Sequence, residues 1–141
     1  MANGVRHLYV HYYSFMEEVG KRIQKILIGL EPQNEMEALE RWEAYLEQHL
    51  SFPFEAIIDA WQEKGPLDKG DKVSVKKISL IDDLYGIIVE LRFGRKKYDY
   101  PLCELAAIDK KLSNYQLIQD YRIWFSNRYI RFHFAVKTSN K

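Results

Sequence analysis

The spacing of hydrophobic residues divides the chain into a helical first third, a strand-rich middle and a second helical segment. Between positions 5 and 30, apolar side chains recur every three or four residues, which is typical of one face of an amphipathic helix. Residues 35–49 repeat this spacing at Leu39, Trp42 and Leu46. The polar break between the two segments predicts a helical hairpin.

The predicted hairpin leaves two packing arrangements open. A helix of about 24 residues would be about 36 Å long, which exceeds the width of a small barrel. Part of its apolar face therefore needs a further partner. The hairpin either folds back on its own chain or forms a homodimer through the N-terminal helix.

Residues 66–105 have the alternating pattern of β-strands. Polar and apolar residues alternate over 72–76, 85–93 and 97–100, which predicts three half-buried antiparallel strands. The side chains expected to face inward in the central strand are Tyr85, Ile87, Val89, Leu91 and Phe93. Gly94-Arg95 separates the last two strands and suits a type II′ turn, because the first central position of that turn needs positive φ.

Weaker patterns flank these strands on both sides. Residues 55–61 predict an earlier strand. The pattern leaves open which pair faces the core, Ala56 with Ile58 or Ile57 with Trp61. Ser113 with Gln116 three residues later matches a capping box and predicts a closing helix over residues 114–127. A late strand or a polar tail is expected over residues 129–141.

These elements predict an α+β fold in which an N-terminal helical hairpin precedes a small antiparallel β-barrel or strongly twisted sheet with a C-terminal capping helix. With 141 residues, the chain is long enough for one core and an appendage. We expect a helical extension over residues 1–50, a barrel domain with its closing helix over 51–128, and a C-terminal segment over 129–141.

The charge balance excludes partners that depend on a strong electrostatic field. The chain has 21 basic and 20 acidic residues, so its formal net charge is +1. We therefore expect neither nucleic acid nor a membrane as a partner. Charged residues interrupt the N-terminal apolar segment, which excludes a spanning helix there. The single cysteine, Cys103, excludes an internal disulfide and predicts a reducing compartment, the cytoplasm.

Common catalytic motifs are missing from the sequence. It contains no G-x-S-x-G, P-loop or G-x-G-x-x-G pattern. Cys103 has no activating charge beside it in the sequence, which favours a buried structural thiol over a nucleophile. His7 and His11 lie one helical turn apart, yet no third zinc ligand is evident. We expect a protein that is not an enzyme.

Five acidic residues are candidate metal ligands. Asp82 and Asp83 are adjacent in a predicted loop, which a small barrel could bring near Asp71, Glu104 or Asp109. Calcium takes about six to eight oxygen ligands, usually including several carboxylates. The spacing of these residues is not that of an EF-hand. The alternative is that Asp82 and Asp83 are ordinary turn residues whose side chains bond the backbone.

Several short strings together resemble the cyanobacterial calcium-binding protein family. In order, they are FPFEA, PL, GD, DDLYG, GR, PLCEL and DYRIWFSNR, from residue 52 to residue 128. The resemblance covers residues 39–128 and implies an SH3-like barrel that binds Ca²⁺ without EF-hands. It implies a calcium-binding function at a carboxylate-bearing loop. The alternative function is an SH3-like protein-interaction or dimerisation module without a metal.

Overall fold

The structure is a computed structural model that describes residues 15–31, 33–61 and 65–128. His7, His11 and the strand or tail predicted over 129–141 lie outside the described residues. None of the helices within the described ranges is long and apolar enough to cross a lipid bilayer.

The described helices confirm the predicted helical segments. Helix α1 covers 15–26 in the described part of the chain, helix α2 covers Glu35–His49 and helix α3 covers Ser113–Ser126. Asn34 caps α2, because its side-chain oxygen accepts a hydrogen bond from the Glu37 N–H at 3.1 Å.

The capping box predicted at Ser113 is wrong. Leu112 occupies the N-cap position of α3 and makes no side-chain capping bond. Helix α3 begins one residue earlier than the pattern indicated, so Ser113 is already helical. A helical residue cannot serve as the N-cap, whose backbone is extended.

Five antiparallel strands form one sheet. They are β1 (Phe54–Ile58), β2 (Lys72–Asp82), β3 (Gly86–Phe93), β4 (Lys96–Pro101) and β5 (Leu105–Ala107). The strand order is β4-β3-β2-β1-β5. The predicted closure into an SH3-like barrel is not confirmed, because within the described ranges the sheet order ends at β4 and β5. Pro101 lacks an N–H to continue the ladder, and a 3₁₀ turn at Leu102–Glu104 separates these two strands.

The burial of the strand residues decides which side of β1 faces the core and corrects one expectation for β3. Ala56 and Ile58 are fully buried, whereas Trp61 is 74% exposed, so the first pair faces the core. Ile87, Val89 and Leu91 are also buried as expected. Tyr85 is 54% exposed, contrary to the prediction, because it lies in the turn before β3 rather than in the strand.

Helices α2 and α3 pack against the sheet through aromatic side chains. Trp42 of α2 is fully buried and contacts Tyr121 of α3 edge to face, with ring centroids 5.5 Å apart. Trp124 packs beside both rings, with its ring centroid 5.9 Å from that of Trp42 and 6.2 Å from that of Tyr121. Asn114, at the start of α3, exchanges two hydrogen bonds with the Ser51 backbone, at 3.0 and 2.9 Å. These contacts fix α3 against the end of α2.

Helix α1 packs on the same chain. Its residues Val19, Ile23 and Ile26 are buried in the core that the sheet and the other helices share. Arg22 forms a bidentate ion pair with the buried carboxylate of Asp120 on α3, at 2.8 and 3.1 Å. The described residues therefore support the folded-back arrangement of the hairpin. Homodimerisation and the domain division stay predictions.

Candidate metal centre

The turn between β2 and β3, residues 82–86, is built around the Asp82 side chain. Its Oδ1 atom accepts hydrogen bonds from the N–H groups of Leu84 and Tyr85, each at 2.8 Å. Gly86 closes the turn with a φ of +75°, a conformation that L side chains rarely adopt. Asp82 therefore has the turn-forming role that was the alternative to metal binding.

Helix α3 packs tightly against this turn. A Cβ atom at Gly86 would overlap the Tyr121 hydroxyl and the Phe125 ring. The Tyr121 hydroxyl accepts a hydrogen bond from the Ile87 N–H at 2.9 Å. Burial raises the pKa of Tyr121, so this hydroxyl stays protonated across the physiological range. The turn is thus held on the helix by a neutral hydrogen bond and by a close approach that only glycine permits.

Arg128 also contacts the 82–86 turn. Its guanidinium donates to the Leu84 carbonyl at 3.0 Å and to the Phe125 carbonyl at 2.8 Å. It also forms an ion pair with Glu35 at 2.8 Å and lies 3.6 Å from the centroid of the Phe125 ring. The Arg128 side chain is 11% exposed. A positive charge is therefore fixed beside the two aspartates and is balanced by a carboxylate at the start of α2.

The turn presents oxygen donors to solvent. Asp83 is exposed, and no described group bonds its carboxylate. Asp82 uses Oδ1 for the turn, which leaves Oδ2 available. Leu84 and Tyr85 are each 54% exposed beside these carboxylates. Two carboxylates with open access to water can contribute part of a calcium coordination shell, and water can complete it.

Asp71 and Glu104 lie on either side of the end of β1. The Asp71 carbonyl accepts from the Ile58 N–H at 3.0 Å, and the Glu104 carbonyl accepts from the Asp59 N–H at 2.8 Å. The Asp71 carboxylate accepts from the Asp68 N–H at 2.8 Å. Asp59 forms an ion pair with Arg122 at 2.9 Å. Asp71 and Asp82 are at opposite ends of β2, so the expected approach of the carboxylate loop to Asp71 is wrong.

Glu104 also influences two neighbouring acids. Burial, followed by the Glu104 carboxylate, raises the pKa of Cys103 to about 11. Burial, with a smaller effect of Glu104, also raises the pKa of Tyr100. A thiol with so high a pKa is a poor nucleophile, which supports the structural role predicted for Cys103.

Asp109 lies elsewhere, in the segment between β5 and α3. Its Oδ1 atom accepts from the Lys111 N–H at 3.0 Å. Asp109 and Glu55 both line a groove of about 410 Å³, together with Lys72. Lys72 offsets one of these two carboxylates, so the groove has a single uncompensated negative charge.

The structure does not assemble the five predicted ligands into one site. Within 15–31, 33–61 and 65–128, no three His, Cys, Asp or Glu side chains are placed to hold one metal ion. It keeps Asp82 and Asp83 together in one turn, brings Asp71 and Glu104 to the end of β1, and places Asp109 in a third location.

Arg128, Glu35 and Tyr121 were missed as residues of this site. No local motif marks them, since Arg128 and Glu35 are 93 positions apart in the sequence. The unusual feature in the sequence was the DDLYG string itself, because a glycine four residues after an aspartate predicts a turn but not what packs on it.

The comparisons with known proteins agree on one family. Residues 21–125 match the family of CcbP, which is described as calcium binding. The chain is similar to the crystal structure of Anabaena CcbP, with a TM-score of 0.63 and 26% identity over 77% of this chain and 89% of that chain. A calcium binding protein in the calcium-binding form has the same fold, with a TM-score of 0.62 and 24% identity over 79% of this chain and 91% of that one. No curated protein sequence matches.

The family match includes α2, the whole sheet and nearly all of α3, and so covers well over half of the chain. This match confirms the resemblance to the calcium-binding family that the short sequence strings indicated. Ca²⁺ was the predicted cofactor, and calcium is the ion in the name of one matched structure. The family is described by ion binding and not by a reaction. The chain therefore belongs to the CcbP family of calcium-binding proteins.

Proposed function

We propose that this protein binds Ca²⁺ at the β2–β3 turn through Asp82 and Asp83. The observation that carries the proposal is the family match, whose span of residues 21–125 contains this turn. The turn adds two adjacent carboxylates, of which Asp83 and one oxygen of Asp82 are free of hydrogen bonds to described groups.

The donor set fits a calcium site that is rich in water. Two carboxylates fill only part of a shell of about six to eight oxygens, so water ligands would supply the rest. A site of this kind is open to solvent and has modest affinity. Asp71, Glu104 and Asp109 were also predicted as ligands, but the proposed site excludes them because, among the described residues, none of them joins Asp82 and Asp83 in a group that could hold one ion.

Titration calorimetry of the chelator-treated protein with CaCl₂ tests the proposal, with MgCl₂ as the competing ion. We expect saturable heat with calcium and little with magnesium, which keeps its own water shell. At a hundred times the dissociation constant, calcium should stabilise the fold by about 2.7 kcal/mol, and the melting temperature should rise by several degrees.

The doubly substituted variant Asp82→Asn/Asp83→Asn locates the site. Asparagine keeps the oxygen that accepts the two N–H groups of the turn, so the fold should survive while calcium binding is lost. The matched control is Asp71→Asn/Asp109→Asn, which also removes two charges from turn residues and should bind calcium normally. Calcium binding that survives in the first variant and fails in the second would contradict the proposed location.

The interaction module without a metal is the second candidate function. It is favoured by Ile28, which is 73% exposed, and by Phe15, which is 55% exposed on α1. Ile23 is buried in the same chain and would not test an interface. Light scattering of wild type and Ile28→Glu tests dimerisation through α1 and the turn that follows it, which predicts a dimer that becomes a monomer in the variant. A wild-type monomer at all concentrations would contradict it.

A further inference from the structure

Arg128 and Glu35 form an ion pair, and Arg128 also contacts the proposed calcium turn. The Arg128 guanidinium donates to the carbonyl of Leu84, the residue that follows Asp83. Glu35 bonds the same guanidinium at 2.8 Å. The Arg128 side chain is 11% exposed and the Glu35 side chain 37% exposed, so this pair is partly shielded from water.

We propose that Arg128 and Glu35 set the calcium affinity of the turn, with effects of opposite sign. The inference rests on the proposed function, since it concerns the same turn. The fixed positive charge of Arg128 repels a divalent cation held by Asp82 and Asp83 and so weakens its binding. Glu35 partly cancels that charge and so strengthens calcium binding.

The expected size follows from Coulomb's law. A divalent ion and a unit charge about 8 Å apart in a water-like medium interact strongly enough to change a dissociation constant about fivefold. Partial burial of the pair increases this effect, whereas salt decreases it. We expect neutralisation of either residue to change calcium affinity about three- to tenfold at low ionic strength.

The direction in which each substitution changes calcium affinity distinguishes an electrostatic role of these residues from a structural one. Both residues also stabilise the turn, because Arg128 joins Leu84 to α2 and α3. If they acted only by holding the turn in place, the loss of either would loosen the turn and weaken calcium binding. An electrostatic role predicts that the loss of Arg128 tightens binding although the apo protein becomes less stable.

Arg122 provides a matched control on the same helix. Like Arg128, it pairs with a carboxylate, that of Asp59 at 2.9 Å, and donates to backbone carbonyls outside its own helix, those of Cys103 at 3.0 Å and Asp59 at 3.5 Å. The contacts of Arg122 are with the end of β1 and the 3₁₀ turn, and none of its hydrogen bonds involves the 82–86 turn. Its neutralisation should therefore destabilise the fold without tightening calcium binding at the turn.

The test is calcium titration calorimetry of the full chain and four variants in 20 mM and 500 mM KCl, with melting temperatures of the apo proteins measured alongside. Arg128→Gln should bind calcium about three- to tenfold more tightly, and Glu35→Gln should bind it more weakly by a similar factor. Arg128→Lys, which keeps the charge but loses the guanidinium hydrogen bonds, should stay near wild type in affinity although its melting temperature falls. Arg122→Gln should also bind like wild type. All differences should shrink in 500 mM KCl.

The outcomes distinguish the inference from the proposed function. If wild type does not bind calcium at all, the proposed function fails. If wild type binds calcium but Arg128→Gln and Glu35→Gln change affinity in the same direction or not at all, the inference is overturned while calcium binding stands. Tighter binding in Arg122→Gln but not in Arg128→Gln would also overturn it, because the ion would then lie near the end of β1.

Discussion

The two ends of strand β3 carry the same type of turn residue in very different surroundings. Gly86 begins the strand with a φ of +75°, and Gly94 follows it with a φ of +64°. A Cβ at Gly86 would overlap Tyr121 and Phe125, whereas a Cβ at Gly94 would meet nothing within 4 Å. The first turn is held by a helix, and the second is determined by its own backbone.

The comparison shows that positive φ alone does not measure how much a glycine matters. Arg95 has negative φ, as a type II′ turn requires, so the 94–95 turn needs glycine only for its backbone. The 82–86 turn needs glycine both for its backbone and for the approach of α3. Function is proposed at the crowded end, where long-range contacts control the position of the carboxylates.

The largest difference between the two turns is expected for glycine substitution. Gly86→Ala should lower the free energy of unfolding by about 3–5 kcal/mol, because it adds both left-handed strain and overlap with α3. Gly94→Ala should cost only about 1–2 kcal/mol, the strain alone. Urea denaturation of both variants measures this difference. Equal losses would show that the crowding at Gly86 relaxes at no cost.

The hydrogen bond at the crowded end predicts the next largest effect. Tyr121→Phe leaves the buried Ile87 N–H without its acceptor and should cost about 1–3 kcal/mol. Tyr98→Phe, in the half-buried part of β4 near the 94–95 turn, is the control and should change stability by less than about 0.5 kcal/mol. Urea denaturation compares them. A negligible effect of Tyr121→Phe would mean that water replaces the hydroxyl.

The Asp82 side chain should contribute less, because its bonds are exposed. Asp82→Ala removes the acceptor for two turn N–H groups and should cost about 1 kcal/mol. Asp82→Asn keeps an acceptor oxygen and should stay within about 0.5 kcal/mol of wild type. Thermal melts in the presence of a chelator separate this effect from calcium binding. Similar losses in both variants would indicate that the charge, and not the turn bonds, matters.

Alkaline pH should give an effect of similar size to that of Asp82→Ala. The pKa of Tyr121 in the folded protein is raised by burial above its value in the unfolded chain. The folded state therefore retains this proton longer, and the stability it contributes is present below about pH 10 and is lost as pH rises further. Between pH 9 and 11 wild type should lose about 1 kcal/mol more than Tyr121→Phe. Parallel pH profiles would contradict this assignment.

Local patterns predicted most of the elements of the fold. The recurrence of apolar residues every three or four positions located α2, and alternation located β3 and the inward set Ile87, Val89 and Leu91, because these signals depend on neighbours in sequence. Two expectations were wrong because they also depended only on neighbouring residues in the sequence. Tyr85 continues the alternation of β3 but belongs to the turn, and Ser113 matches a capping box one residue inside the helix.

The site was less predictable, because its geometry depends on contacts between distant residues. Asp82 and Asp83 could be recognised as a carboxylate pair, and their string contributed to the family resemblance. The separation of Asp71 from that pair follows from the length of β2, which local patterns placed only in part. Arg128 could not be assigned to the turn, since no rule links it to Leu84, 44 positions earlier.

The ion pairs that hold the helices also restrict when the chain can fold during synthesis. Arg22 and Glu35, on α1 and α2, find their partners only at Asp120 and Arg128, which are 98 and 93 residues later. A ribosome adds roughly 5–20 residues per second, so both early helices wait several seconds without these partners. The core that these helices share with the sheet also stays incomplete until α3 supplies Ile118, Tyr121 and Trp124. Completion of the fold therefore waits for the last described helix.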